Sequence, residues 1–319
     1  MRTDLTGTTS QQIDRTLARG RRAVGAPATG LAFTLVVVTD EENARDAMKD
    51  VGTAFRDVPA RTLAVLPGPE TGAPRFDARV RVAGRSESVV LRLHGELARH
   101  ADTVLLPLLP PDTPLLVWWP GEAPGAPAAT PVGRLADRRI VDTAAHRAPR
   151  TALSHRAALH TTGDADLAWT RTAWWRATLS SLLEPPPDAG RGAGRAAVPG
   201  APYPSARVWH AGAYDPSAEL LAHWLSLRSG GPVERVGGRG TGGVTAVEVP
   251  GRPGTVTVDV GRGGGLARVR TATGATHHVA FRRPTRARLL REEAGCARAD
   301  LAYVNALSVT RDSDNVEAA

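Results

Sequence analysis

Apolar and polar positions along the chain fall on two periods. Residues 9–22 place Ile13 and Leu17 at helical spacing behind Thr8, Thr9 and Ser10 as N-cap candidates, which predicts an amphipathic helix. Residues 31–38 then form an unbroken apolar, β-branched run, the pattern of a strand covered on both faces. At its end Thr39-Asp40-Glu41-Glu42 reads as a capping box, with the Thr39 hydroxyl and the Glu42 carboxylate taking free N–H groups of a helix that continues over 43–55. A β-to-α switch is also where a metal or acid/base site would sit, so the acidic cluster has a structural and a functional reading. Further along, the pattern predicts a strand at 61–66 and a hairpin pairing 76–82 with 88–93. A helix at 98–109 stops at Pro110-Pro111, and strands follow at 115–119 and 139–141, then a tryptophan-rich helix over 166–183.

The pattern breaks at residues 184–202, where Pro185-Pro186-Pro187 and many Gly, Ala and Arg residues describe a linker. Strands at 206–211, 233, 244–249, 255–260, 267–271 and 278–281 follow, with helices at 216–227, 286–293 and 299–306. The expected fold is α/β of the mixed, α+β kind: two domains, each a mixed β-sheet with packed helices. Their boundaries are drawn at 1–184 and 203–311, with a linker at 185–202 and a polar, frayed tail at 312–319.

A chain of 319 residues is long enough for two hydrophobic cores without staples. Cys296 stands alone, so neither an internal disulfide nor a multi-cysteine zinc site can form, which suits a reducing compartment. Residues 1–12 are polar and the apolar runs are strand-sized, so a cytoplasmic protein without membrane spans is expected. The net charge of +8 and pI near 10.8 raise a nucleic-acid reading. Against it, the basic residues, arginine but for Lys49, are spread over the whole chain and often adjoin Asp or Glu, the distribution of a solvated surface.

Motifs for chemistry fail on context. Gly238-Arg239-Gly240-Thr241-Gly242-Gly243 has dinucleotide-loop spacing, yet residues 244–249 after it alternate as a strand, which makes it a glycine-rich turn. No phosphate loop of the GxxxxGK type surrounds the single lysine. His277 and His278, neighbours on a strand, point to opposite faces, and His155 and His160 lie five apart, off the spacing that stacks metal ligands on a helix. A Gly-x-Ser-x-Gly elbow is absent and Cys296 has no local activating partner. The reading assigns no catalytic, cofactor-binding or metal residues. What stands out is tryptophan: Trp118-Trp119, then Trp169, Trp174 and Trp175 around Arg171. Aromatic rings beside arginine make binding hot spots, and they also fill cores. Trp174 and Trp175 point about 100° apart on a helix, so at most one sits central to the sheet-facing stripe. Trp169, Arg171 and Trp174 are the candidate partner-binding residues.

Several segments together resemble the OpcA family, the glucose-6-phosphate dehydrogenase assembly proteins of actinobacteria and cyanobacteria. They are residues 31–44, 90–97, 104–109, 114–120, 163–171, 216–222 and 224–225, with 163–171 (GDADLAWTR) the most specific. The resemblance implies a non-catalytic protein that binds glucose-6-phosphate dehydrogenase, promotes its oligomeric, active state as an allosteric activator, and so governs NADPH supply from the pentose phosphate pathway. The likeness weakens over 185–202 and after Arg286. Cyanobacterial members are associated with thiol-linked redox control, which one cysteine cannot supply as an internal switch. A rival expectation is a sugar-phosphate enzyme or sensor in which Arg171 holds the anion.

Overall fold

The computed structural model describes all residues except 26–29, 184–204, 239, 241, 252–253, 262–264, 297–298 and 318–319, and side chains as far as residue 311. The elements run β1 (Arg2–Leu5), α1 (Ser10–Ala23), β2 (Phe33–Val38), α2 (Glu41–Ala54), β3 (Ala60–Pro67), β4 (Arg75–Ala83), β5 (Ser86–His94), α3 (Ala101–Leu105), β6 (Leu115–Trp118), α4 (Pro131–Arg134), β7 (Arg138–Val141), α5 (Pro149–Leu159) and β8 (Asp164–Asp166). They continue as α6 (Leu167–Thr170), α7 (Ala173–Leu183), β9 (Ala206–His210), α8 (Pro216–Ser229), β10 (Val233–Val236), β11 (Val244–Val249), β12 (Val256–Val260), β13 (Gly265–Arg270), β14 (Thr276–Phe281), α9 (Arg286–Ala294) and α10 (Leu301–Glu317). The protein is mixed α/β with two mixed sheets, as the alternation of helical and strand periods predicts.

The first sheet has the order β1-β4-β5-β3-β2-β6-β7-β8, parallel from β5 through β8. Its central strands need apolar side chains on both faces, and β2 supplies them. Val36 joins Ile13, Leu63 and Leu91 on the α1 side, while Leu35 and Val37 pack with Ala47, Leu116 and Trp118 on the α2 side, where Leu289 and Leu290 of α9 complete the cluster. The hairpin strands β4 and β5 instead alternate, burying Val80 and Leu91 and turning Arg79 and Arg92 outward.

The second sheet runs β10-β9-β11-β12-β13-β14, antiparallel except for the parallel β10–β9 pair joined through α8. One face carries the core, in which Val208, Val247, Val258 and Val269 meet Leu220 and Leu221 of α8, Trp175 and Leu179 of α7, and Leu307 of α10.

The chain forms two compact units that interleave in sequence: Met1–Arg147, Leu159–Leu167 and Thr285–Ala299 in the first, Ala148–Ala158, Ala168–Pro284 and Asp300–Ala319 in the second. The composition break at 185–202 lies outside the described residues, and the boundaries drawn there differ from these units. From Ala168 on, the α6–α7 segment belongs to the second unit, and α9 returns to the first because its apolar side chains complete the α2-side core.

Several expected elements take a different form. Asp40, not Thr39, caps α2: its Oδ1 accepts from the Asn43 amide at 2.8 Å, and Glu41 is bound by Arg92 at 2.6 and 2.9 Å, so no capping box forms with Glu42. The helix expected over 98–109 is the short α3 between two 3-10 turns, Gly95–Ala98 and Leu106–Leu108. The long helix expected over 166–183 is broken, because the Thr172 hydroxyl and amide both bond the Trp169 carbonyl, at 2.7 and 2.9 Å, and turn the chain between α6 and α7. Its first residue belongs to β8. The tail expected to fray continues α10 to Glu317.

Candidate functional site

The tryptophan-rich segment lies on the covered face of the second sheet. Trp169 is buried, and its indole N–H donates to Asp300 Oδ2 at 2.6 Å. The Arg176 guanidinium lies over its ring at 3.8 Å, donates to Thr172 Oγ1 at 3.0 Å and approaches Asp300 at 3.9 Å. Tyr303 flanks the ring, centroids 5.7 Å apart. Asp300 also accepts from the amides of Ala302 and Tyr303 at 3.0 and 3.2 Å, so the carboxylate that holds Trp169 starts α10. Trp174 is half-buried and packs edge-on against Phe281 and Trp175, with centroids 4.7 and 5.3 Å away, while Trp175 is the buried member of the pair. Arg171 is half-buried.

Of the three candidates, then, Trp169 sits inside the unit while Arg171 and Trp174 reach its surface. The partners of Trp169 were missed by the sequence reading. Arg176 lies seven residues on, across the α6–α7 break, and Asp300 lies 131 residues away, with no local signal for either.

A second place is built by topology. The chain leaves β2 for β3 on one side and later returns to β6 on the other, so the strand order reverses between β2 and β6, where open α/β sheets hold ligands. A cleft of about 380 Å³ opens there, lined by Thr39, Asp40, Asn43, Trp119 and Glu122 among others. Asp40 is held below the usual carboxylate range by hydrogen bonds from the Asn43 amide and side chain. The start of α2, the position for a phosphate in such folds, is thus filled by the protein's own carboxylate. Near Glu122, the His146 Nε2 accepts the Ala123 amide at 3.1 Å and its Nδ1 faces Glu122 Oε2 at 3.2 Å, so both ring nitrogens are engaged. Glu122 also accepts from the Arg147 amide at 2.7 Å. The rim thus carries two carboxylates, Asp40 and Glu122, and the Arg147 charge acts on Asp40 as well.

Gly238, Gly240, Gly242 and Gly243 all adopt positive φ and lead into strand β11, while Arg239 and Thr241 lie outside the described residues. Arg283 donates to the Gly242 carbonyl and closes this turn. Cys296 is exposed. Among the described residues no three His, Cys, Asp or Glu side chains converge as metal ligands, and no helix is long and apolar enough to cross a membrane.

Two family models match in succession: the glucose-6-phosphate dehydrogenase subunit N-terminal domain over residues 52–158 and the C-terminal domain over 162–307. The chain belongs to the OpcA glucose-6-phosphate dehydrogenase assembly family. That membership carries an assembly role associated with the dehydrogenase. No curated protein matches the chain. Trp169, Arg171, Trp174, Arg176, Asp300 and Tyr303 all fall within the span matched by the OpcA C-terminal model, whereas Thr39, Asp40 and Asn43 of the cleft precede the N-terminal match.

Proposed function

We propose that this OpcA-family chain acts without a reaction of its own, binding glucose-6-phosphate dehydrogenase in the cytoplasm and shifting it toward an oligomeric, active state that supplies NADPH from the pentose phosphate pathway. The observation that carries the reading is the unbroken order of the two family matches over residues 52–307. It is supported by the switch-point cleft, whose polar groups are engaged with one another rather than converged on an open position. Activation requires that the chain bind the assembled enzyme more tightly than the unassembled one. Linkage then makes the effect reciprocal: glucose 6-phosphate strengthens the complex if the complex strengthens substrate binding.

In this reading Arg171 and Trp174, which are half-buried, touch the enzyme, and Trp169 holds the segment behind them. The test is co-elution of the purified proteins and dehydrogenase kinetics with and without this chain. The expected result is a complex with a larger assembled fraction and a lowered KM. Unchanged kinetics with no co-elution overturn the proposal. Arg171→Ala and Trp174→Ala are expected to weaken the complex while the circular dichroism spectrum stays unchanged.

A further inference from the structure

Among the described residues two sheets present four edge strands, and three are blunted. β1 is four residues long with Asp4 bound by Arg79 at 2.6 Å, β8 is three residues long and buried, and β10 is four residues long with Arg235 fastened to Glu219. β14 is different. It pairs with β13 over six residues without a register shift, and it carries neither proline nor a formally charged side chain. Residues 276–280 are all exposed, Val279 by 38%. An edge of this kind leaves a row of backbone N–H and C=O groups that another strand can pair with, and natural proteins ordinarily block it with charge, proline or a bulge.

The charge beside the edge is one-sided. Between Asp259 and Glu292 the sequence has no acidic residue, while the β13–β14 region carries Arg268, Arg270, Arg282 and Arg283. Arg268 and Arg270 stand opposite His278 and Thr276, and the exposed Leu266 opposite Ala280. Arg283 is spent on the Gly242 turn and Asp259 lies opposite Arg268 on β12, whereas Arg270 stands between Thr257 and Thr276, with no acid directly opposite it. Successive side chains of an added strand alternate between faces, so one set falls beside the Arg268–His278 row and the other beside Val279.

We infer that β14 is an open docking edge that takes an extended, acidic segment of a partner protein as a seventh strand of the second sheet, with acidic side chains toward the arginine row and apolar ones toward Val279. This rests on the reading of the chain as a dehydrogenase-binding protein for the identity of the partner, but not for the chemistry of the edge. Main-chain hydrogen bonds supply the affinity in such an addition, and the alternate side chains supply the selectivity.

The full chain is titrated with a labelled peptide of about eight residues alternating Glu and Val, and with its Lys–Val counterpart. The Glu–Val peptide is expected to bind saturably and to slow amide hydrogen exchange within 276–281, and the Lys–Val peptide is not. Arg268→Glu/Arg270→Glu and His277→Glu/Val279→Glu are each expected to weaken peptide binding and dehydrogenase co-elution by about tenfold or more, with unfolding midpoints near the parent's. Equal binding of both peptides, protection elsewhere, displacement by a single-stranded oligonucleotide, or a wild-type dimer by light scattering that the edge variants abolish overturns the inference. If the dehydrogenase binds parent and edge variants equally, the edge proposal fails and the function stands. If it does not bind the parent, the functional reading fails and the peptide titration alone decides the edge.

Discussion

The two sheets bury themselves in opposite ways. In the first, central strands such as β2 and β3 are apolar on both faces and separate two cores, whereas the second is buried on one face and patterned on the other. Across that second face one row reads Glu234, Arg207, Glu248, Thr257, Arg270 and Thr276, acid and base alternating from β10 and then giving way at β13 and β14 to base alone. Strands covered on both sides, as β2 and β6 are, can offer a ligand only their ends, and there the Asp40 carboxylate takes the start of α2. A half-covered sheet keeps a face and an edge for another chain. The partner edge proposed above lies on the sheet of this second kind.

The comparison breaks most severely at the layer that covers the second sheet. Trp169→Ala removes a buried indole together with its bond to Asp300 and is expected to cost about 3–5 kcal/mol, read as faster hydrogen exchange in α10 and β9. Trp169→Phe keeps most of the packing and loses the N–H, for a cost of about 1–3 kcal/mol. If Trp169→Ala instead leaves exchange unchanged and abolishes co-elution, Trp169 is an interface residue and the half-covered sheet is less tightly closed than its packing implies.

Next in size is the contrast between the sheets themselves. Leu35→Ala, at a position wholly buried on the α2 side of β2, is expected to cost about 2–5 kcal/mol, while Thr257→Ala on the patterned face of β12 stays within about 0.5 kcal/mol. Urea unfolding of both variants measures the difference. Equal costs would mean that the second sheet's outer face is as closed as the first sheet's core.

How much of this was written locally in the chain follows from the same packing. β2 was legible because burial on both faces requires an unbroken apolar run, and α8 because Asp215 caps it and Gly230, at a φ of 71°, ends it. β8 was hidden because its polar side chains are buried through partners far away. Asp164 takes Arg139 at 2.6 Å, and Asp166 takes the Thr143 hydroxyl at 2.6 Å, contacts that leave no periodic trace. The membership of α9 in the first unit was equally hidden, since Leu289 and Leu290 would fit either core. In the candidate site, Trp169, Arg171 and Trp174 were singled out by composition, but which of them is interior depends on Asp300, and the open edge at β14 depends on where β13 pairs.

A smaller effect separates the two ends of β10's neighbourhood by pH. Burial raises the Glu219 carboxyl, but hydrogen bonds from His223 and Arg235 outweigh it and hold the group at about 2 against an ordinary 4.5. The unfolded chain therefore takes up this proton first as pH falls. The contribution of Glu219, about 3 kcal/mol, is complete above about pH 4.5 and is lost as pH falls toward 2. Glu219→Gln is expected to flatten the stability profile in that window, measured by thermal unfolding between pH 2 and 6. An unchanged slope would show that the blunted edge at β10 is not held by this carboxylate.

The smallest effect tests whether the switch-point cleft is closed to function. Asp40 caps α2 in the first unit as Asp215 caps α8 in the second, each accepting from the amide three residues on, at 2.8 and 3.0 Å. Replacing either by Ala is expected to cost about 1 kcal/mol, and by Asn, which keeps the acceptor oxygen, only a few tenths. Asp40→Asn also removes a negative charge from the cleft rim. If the cleft serves only to cap its own helix, this variant elutes with the dehydrogenase as the parent does and takes up no sugar phosphate in calorimetric titration. Heat on adding glucose 6-phosphate to Asp40→Asn, or to the parent, would make the first unit a ligand-binding body and return a binding role to the sheet that is covered on both faces.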